Sequence, residues 1–64
     1  MKGYYRLVVR ELEAAGYLLI RYGKGDHQIW QHPTTKKSVV VDRGVVSRHS
    51  ANGIMKQAGL SKHF

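Results

Sequence analysis

The sequence predicts a small α+β domain with the element order α-β-β-β-α, in which two helices pack on one face of a three-stranded antiparallel sheet. Two segments, near the two ends of the chain, carry apolar residues at helical spacing, and a glycine follows each of them. Between them lie three runs rich in β-branched and aromatic residues, joined by short polar turns. Short turns favour antiparallel neighbours, and a sheet of three strands needs one covered face. The opposite face is then left for solvent or a partner.

The first helix is predicted over Gly3 to Ala15. Residues three and four apart form one apolar stripe, which comprises Tyr5, Val8, Leu12 and Ala15. Gly16 follows the stripe, at the position where a left-handed backbone favours glycine. Tyr4 and Tyr5 leave two interpretations open, because aromatic rings on a short helix either stack on nucleic-acid bases or belong to the core.

Three strands are predicted at Tyr17–Tyr22, His27–His32 and Ser38–Val41. The apolar run of the first strand is continuous, so alternation does not decide which of its faces points inward. Side chains alternate along the second strand. One of its faces therefore carries His27, Ile29 and Gln31, and the other carries Gln28, Trp30 and His32. Pro33 ends this strand because proline cannot donate to the ladder.

The second helix is predicted around an apolar stripe near the end of the chain: Ala51, Ile54, Met55 and Ala58. Gly59 follows it as the matching glycine, and either Ser47 or Ser50 is suited to cap its start. The segment from Asp42 to His49 is predicted as a loop. If both helices cover the same sheet face, the residues expected in the core include Val8, Leu12, Ile54 and Ala58.

Length and charge limit the class of protein. A chain of 64 residues suffices for a single domain, predicted over residues 1–64, with a small core. Eleven lysines and arginines against four acids give a net charge of +7, which suits nucleic acid, an anionic membrane or an acidic protein, or simply a soluble surface. No apolar run approaches the ~20 residues that span a membrane, so no membrane-spanning segment is predicted. The partners expected are RNA and a protein, and not a membrane. The absence of cysteine fits a cytoplasmic protein.

The turn between the first two strands contains Gly23, Lys24 and Gly25, and His27 opens the second strand. Glycines let backbone N–H groups approach a ligand, and lysine adds positive charge. Histidine is the side chain most easily tuned to move a proton near neutral pH. The combination suits a phosphodiester, with His27 as the catalytic candidate. The other interpretation is an ordinary hairpin turn followed by a surface histidine.

The other candidate residues are less specific. Lys36 and Lys37 lie in the turn before the third strand and are predicted, with Lys24, to contact phosphate. The remaining histidines are predicted at a strand end, in a loop and in the tail: His32, His49 and His63. Their spacing matches no zinc motif, and the acids form no cluster for magnesium. No metal and no cofactor is therefore predicted.

Four segments occur in a fixed order along nearly the whole chain. They are Ala15-Gly16-Tyr17, Gly23-Lys24-Gly25-Asp26-His27, Trp30-Gln31-His32-Pro33 and Ile54-Met55-Lys56-Gln57-Ala58-Gly59-Leu60. Together they resemble the pattern of the HicA toxins of type II toxin–antitoxin systems. No single segment is specific, and the ordered set carries the resemblance.

The resemblance implies a fold like that of the double-stranded-RNA-binding domain and a metal-independent endoribonuclease that cleaves mRNA with His27 as its catalytic histidine. It also implies a HicB-like antitoxin that covers the active face, with a monomeric isolated toxin and a hetero-oligomer in the complex. Two departures stand out. Asp26 occupies a position where the family usually has serine. The last helix of the family usually begins with Gly-Thr, and this chain has Ser50-Ala51-Asn52-Gly53 in that region. We expect Asp26 to orient His27 and to repel phosphate.

Two other functions fit the same residues. One is a non-catalytic RNA-binding module of the same fold, since shape and positive charge alone bind duplex RNA. The other is a protein-interaction subunit whose basic face meets an acidic partner. RNA cleavage that is lost in His27→Ala while binding is kept would distinguish the enzyme from both.

Overall fold

A computed structural model describes residues 3–45, 47–61 and 64 of the chain. Within them, five elements follow one another: α1 Tyr5–Ala14, β1 Leu18–Tyr22, β2 His27–Gln31, β3 Ser38–Asp42 and α2 Arg48–Gln57. The strands form one antiparallel sheet in the order β1-β2-β3. The predicted α-β-β-β-α arrangement of the double-stranded-RNA-binding-domain type is confirmed. Neither described helix has the length and apolar character needed to cross a membrane.

Both helices end in the same backbone motif. After α1, Gly16 has φ +97°, its N–H donates to the Glu13 carbonyl, and the Tyr17 N–H donates to the Leu12 carbonyl. After α2, Gly59 has φ +74°, and the N–H groups of Gly59 and Leu60 donate to the carbonyls of Lys56 and Met55. This pair of bonds is the Schellman motif, which requires a left-handed residue and favours glycine. Both glycines therefore act as the sequence predicts.

The helix starts differ from the predicted ones. Helix α1 begins at Tyr5 without a side-chain cap, and the Tyr4 N–H instead donates to the Val45 carbonyl at 2.9 Å. That bond fixes the start of α1 to the segment that precedes α2. Of the two candidate serines, Ser47 caps α2, because its hydroxyl oxygen accepts from the backbone N–H groups of His49 and Ser50. His49, predicted in a loop, thus lies in the first turn of α2.

One core joins both helices to one face of the sheet. It comprises Val8 and Leu12 of α1, Trp30, Val39 and Val41 of the sheet, Ala51 and Met55 of α2, and Tyr17, Val45 and Ala58 from the connections. The predicted burial of Val8, Leu12 and Ala58 is confirmed. Ile54, predicted in the core, is only half-buried, because Met55 takes the fully buried position on α2.

The alternation predicted for β2 is confirmed at its buried positions. Gln28 and Trp30 are buried against the helices, whereas His27 is exposed on the opposite face. Gln28 is polar, but its Oε1 accepts hydrogen bonds from the Tyr5 hydroxyl at 2.9 Å and from Trp30 Nε1 at 3.1 Å. A buried amide oxygen with two donors carries little desolvation penalty. The face of the sheet away from the helices, called the open face below, carries His27.

Candidate functional site

His27 lies at the edge of the open face, opposite a carboxylate. It is the first residue of β2, and the ladder pairs it with Asp42, the last residue of β3. His27 Nε2 lies 3.7 Å from Asp42 Oδ2, and the two side chains are 49% and 54% exposed. A histidine–carboxylate contact this exposed stabilises the fold little. Asp42 orients the imidazole, and the ring is still accessible to a ligand.

Asp42 is itself held in place by the turn that follows β3. Its Oδ1 accepts a hydrogen bond from the Gly44 N–H at 2.8 Å, and its backbone carbonyl accepts from the Val45 N–H at 3.0 Å. The carboxylate therefore has one oxygen fixed by the backbone and the other directed to His27. Asp42 was predicted in the loop after the third strand, because the β-branched run ends at Val41. The ladder extends that strand by one residue and pairs Asp42 with His27.

A cleft of about 370 Å³ separates His27 from the start of α2. The sheet contributes His27, Val40 and Asp42 to its lining, and Ser47, Ser50 and Ile54 come from the cap and body of α2. The N–H groups of His49 and Ser50 already donate to Ser47, so the start of α2 favours an anion through the positive end of the helix dipole. The cleft thus brings a group that can transfer protons close to a place that favours negative charge. Ile54, half-buried, forms an apolar wall.

The turn that carries Lys24 is closed by backbone hydrogen bonds. The Gly23 N–H donates to the His27 carbonyl at 2.8 Å, and the His27 N–H donates to the Lys24 carbonyl at 3.2 Å. Gly25 has φ +63°, where glycine is favoured, and a Cβ at Gly23 would lie 3.3 Å from the Cβ of His27. Gly25 therefore permits the turn, and the absence of a side chain at Gly23 leaves room for His27. The Gly23 N–H is used inside the turn, so Lys24 is the residue of this turn best suited to contact phosphate.

Lys36 and Lys37 lie at the other end of the sheet. The five residues of β2 separate their turn from the turn of Lys24, so the structure does not bring them next to His27. Lys36 has φ +65°, and its N–H donates to the His32 carbonyl. A Cβ on Gly59 would come within 3.3 Å of Lys37 Nζ, which places this ammonium beside the C-terminal end of α2. Cations are favoured at that end of a helix.

The other described histidines serve the fold or lie outside the cleft. His32 Nδ1 accepts hydrogen bonds from the backbone N–H groups of Thr34 and Thr35, and its ring packs edge-on against buried Tyr17 with centroids 5.4 Å apart. His32 thus stabilises the turn before β3. The exposed side chain of His49 does not line the cleft of His27. His63 lies outside the described residues.

Asp26 is next to His27 in the chain but lines a different cleft. Its backbone carbonyl accepts from the Arg43 N–H at 3.1 Å, and Asp26 lines a cavity together with Arg6 and Arg43. The carboxylate beside the His27 ring belongs to Asp42 instead. Across residues 3–45, 47–61 and 64, no three histidine, aspartate or glutamate side chains converge in an arrangement suited to a metal ion.

Comparison with known protein families identifies the family to which this chain belongs. The model of the family described as the HicA toxin of bacterial toxin-antitoxin matches residues 5–60, from the first residue of α1 to the residue that completes the Schellman motif after α2. A search of curated proteins and a search of solved structures returned no significant match. Because the family match includes all five elements and most of the chain, this protein belongs to the HicA toxin family of bacterial toxin–antitoxin systems.

Proposed function

We propose that this HicA-family toxin is an endoribonuclease that cleaves mRNA in the cytoplasm without a metal ion, with His27 as general acid or base. The observation that carries the proposal is the position of His27: half-exposed, oriented by Asp42, and facing a cleft at the start of a helix. Family membership supports RNA as the substrate. The net charge of +7 supports it independently, because a phosphate backbone is the natural partner of such a field.

The chemistry needs only the RNA, the protein and water. A 2′-OH attacks the neighbouring phosphorus, the bond from phosphorus to the 5′ oxygen breaks, and a 2′,3′-cyclic phosphate and a 5′-OH result. His27 either accepts the proton of the 2′-OH, while water protonates the leaving oxygen, or donates a proton to the leaving oxygen, while water takes up the proton of the 2′-OH. Lys24 and the start of α2 stabilise the negative charge that develops on phosphate. Asp42 acts as a positioning residue, because its carboxylate lies beside the imidazole and orients it.

The nucleophile provides the sharpest test of the reaction class. We expect cleavage of an RNA oligonucleotide in the presence of EDTA, and no cleavage of the same sequence as DNA or with every 2′ oxygen methylated. Mass spectrometry of the products should find the 2′,3′-cyclic phosphate. Loss of cleavage in EDTA, or cleavage of the methylated strand, would overturn the mechanism.

The second candidate is a non-catalytic RNA-binding module, which the same fold and charge favour. Such a module would bind the RNA oligonucleotide and its methylated copy with similar affinity and would cut neither. The proposed enzyme also binds both strands but cuts only the first. Binding and cleavage measured on the same pair of strands therefore separate the two functions.

A HicB-like antitoxin is the proposed protein partner, and the open face is its proposed docking surface. Val40 on this face is 49% exposed, and on edge strand β1 Leu18, Ile20 and Tyr22 are exposed by 57%, 48% and 69%. The charge of +7 disfavours self-association and favours an acidic partner, so the isolated toxin is proposed to be a monomer. Amide hydrogen exchange of residues 24–30 should be slower in the complex than in the isolated toxin. Unchanged exchange there would place inhibition elsewhere.

A further inference from the structure

A second cleft, larger than that of His27, lies next to it, at the start of α1. Its volume is about 570 Å³, within the range of ~300–1,000 Å³ typical of small-ligand sites. Tyr5 and Arg6 contribute from α1, Asp26 from the β1–β2 turn, and Arg43 from the segment after β3. Gly44 and Val45 line both clefts, so the two are neighbours. A single RNA strand can therefore occupy both.

The second cleft combines three kinds of group. Asp26 supplies a hydrogen-bond acceptor, and Arg6 and Arg43 supply donors. Among the described residues, none of these three side chains forms a hydrogen bond or an ion pair with another. The Arg43 N–H donates to the Asp26 carbonyl, which fixes the two backbones side by side and leaves both side chains for a ligand. The Tyr5 hydroxyl is bonded to Gln28, so its ring is held in position at the cleft wall.

We propose that this cleft binds a guanine base of the RNA strand whose scissile phosphate lies at His27. Guanine offers two neighbouring donors, N1–H and the N2 amino group, which one carboxylate accepts, and two acceptors, O6 and N7, which suit an arginine. Cytosine and adenine each offer a single amino donor on their base-pairing edge. Unpaired bases of single-stranded RNA stack on aromatic rings, which is the role of Tyr5. The guanine site rests on the function proposed above, because that function supplies RNA as the substrate.

Asp26 is the residue that favours a base over a phosphate in this cleft. Two arginines alone suit a phosphate, but a carboxylate in the same cleft repels one. A base is compatible with the carboxylate, because the N–H groups of the base donate hydrogen bonds to the carboxylate oxygens. The proposal therefore gives Asp26 a specificity role rather than a catalytic one, which agrees with its position outside the cleft of His27. Asp26 would determine where the RNA is cut, and His27 would perform the cut.

A binding experiment tests the proposal without any cleavage. The His27→Ala protein is titrated with fluorescent uridine oligonucleotides that carry guanine, inosine, adenine or cytosine at one central position. Inosine lacks the N2 amino group and so tests the carboxylate contact alone. We expect guanine to bind roughly 10-fold tighter than adenine or cytosine, with inosine in between. Asp26→Asn in the same background should remove this preference and leave the affinity for uridine alone equal or higher.

Glu13→Gln is the matched control, because it removes one negative charge from an exposed position of α1 outside the cleft. It should keep the guanine preference. Equal affinity for all four oligonucleotides, a preference for cytosine, or an equal gain for all of them in Asp26→Asn would overturn the proposal. If the parent protein cuts no RNA but the Asp26-dependent preference is found, the proposed function fails and the guanine cleft stands. If it cuts RNA and no preference is found, the guanine cleft alone fails.

Discussion

At the scale of single residues, catalysis is proposed to depend on the His27 ring and on the carboxylate that orients it. The sequence allowed His27 to be placed on an exposed face, because alternation along a short strand is a local property. Asp42 could not be chosen in the same way, since its proximity to His27 depends on the register between two strands. The cleft of Asp26 was equally hidden, because its walls come from three separate parts of the chain.

Asp42→Asn tests the positioning role. The asparagine keeps an oxygen for the Gly44 N–H but loses the charge beside His27. We expect kcat to fall by less than the 10²- to 10⁴-fold typical of removing a general acid–base group. RNA affinity should stay equal or rise, because one carboxylate no longer repels phosphate. Single-turnover cleavage and direct binding measure the two effects separately, and a parallel loss of both would indicate a structural defect instead.

At the scale of elements, the helices follow the sequence more closely than the sheet does. Apolar spacing and a terminal glycine define a helix within one segment, and both Schellman motifs formed where they were predicted. Strand β1 is different. Its pairing with β2 shifts between Leu19 and Arg21, so Ile20 is an additional residue in the ladder. The large apolar side chains of β1 are exposed. Such a bulge depends on the partner strand, which the apolar run of β1 does not reveal.

Helix α1 offers a matched pair of substitutions for testing the core. Leu12 is fully buried, whereas Leu7 on the same helix is 40% exposed. Leu12→Ala should lower the free energy of unfolding by about 2–5 kcal/mol, because it leaves a cavity in the core. Leu7→Ala should cost far less. Urea unfolding followed by circular dichroism measures both, and equal losses would contradict the placement of α1 against the sheet.

At the scale of the whole molecule, we expect charge to govern the encounter with the proposed RNA substrate. A net charge of +7 on so small a domain should make RNA affinity fall steeply with salt, because each neutralised phosphate releases counterions. Lys24→Ala and Lys36→Ala should both weaken binding without altering base preference. The effect of Lys24 should be the larger one on short oligonucleotides, because Lys24 lies at the His27 end of the sheet and Lys36 at the other. Fluorescence titration at several salt concentrations provides the measurement, and salt-independent affinity would exclude a phosphate-led interface.

The measurement that tests the central claim most directly is cleavage by His27→Ala compared with His49→Ala. Both remove an exposed imidazole, but only His27 lines the cleft beside Asp42. With folding verified by circular dichroism and RNA binding verified by titration, His27→Ala should cleave roughly 10²- to 10⁴-fold more slowly than the parent. His49→Ala should cleave at nearly the parental rate. If His27→Ala cleaves as fast as the parent, His27 is not the catalytic residue and the proposed mechanism is wrong.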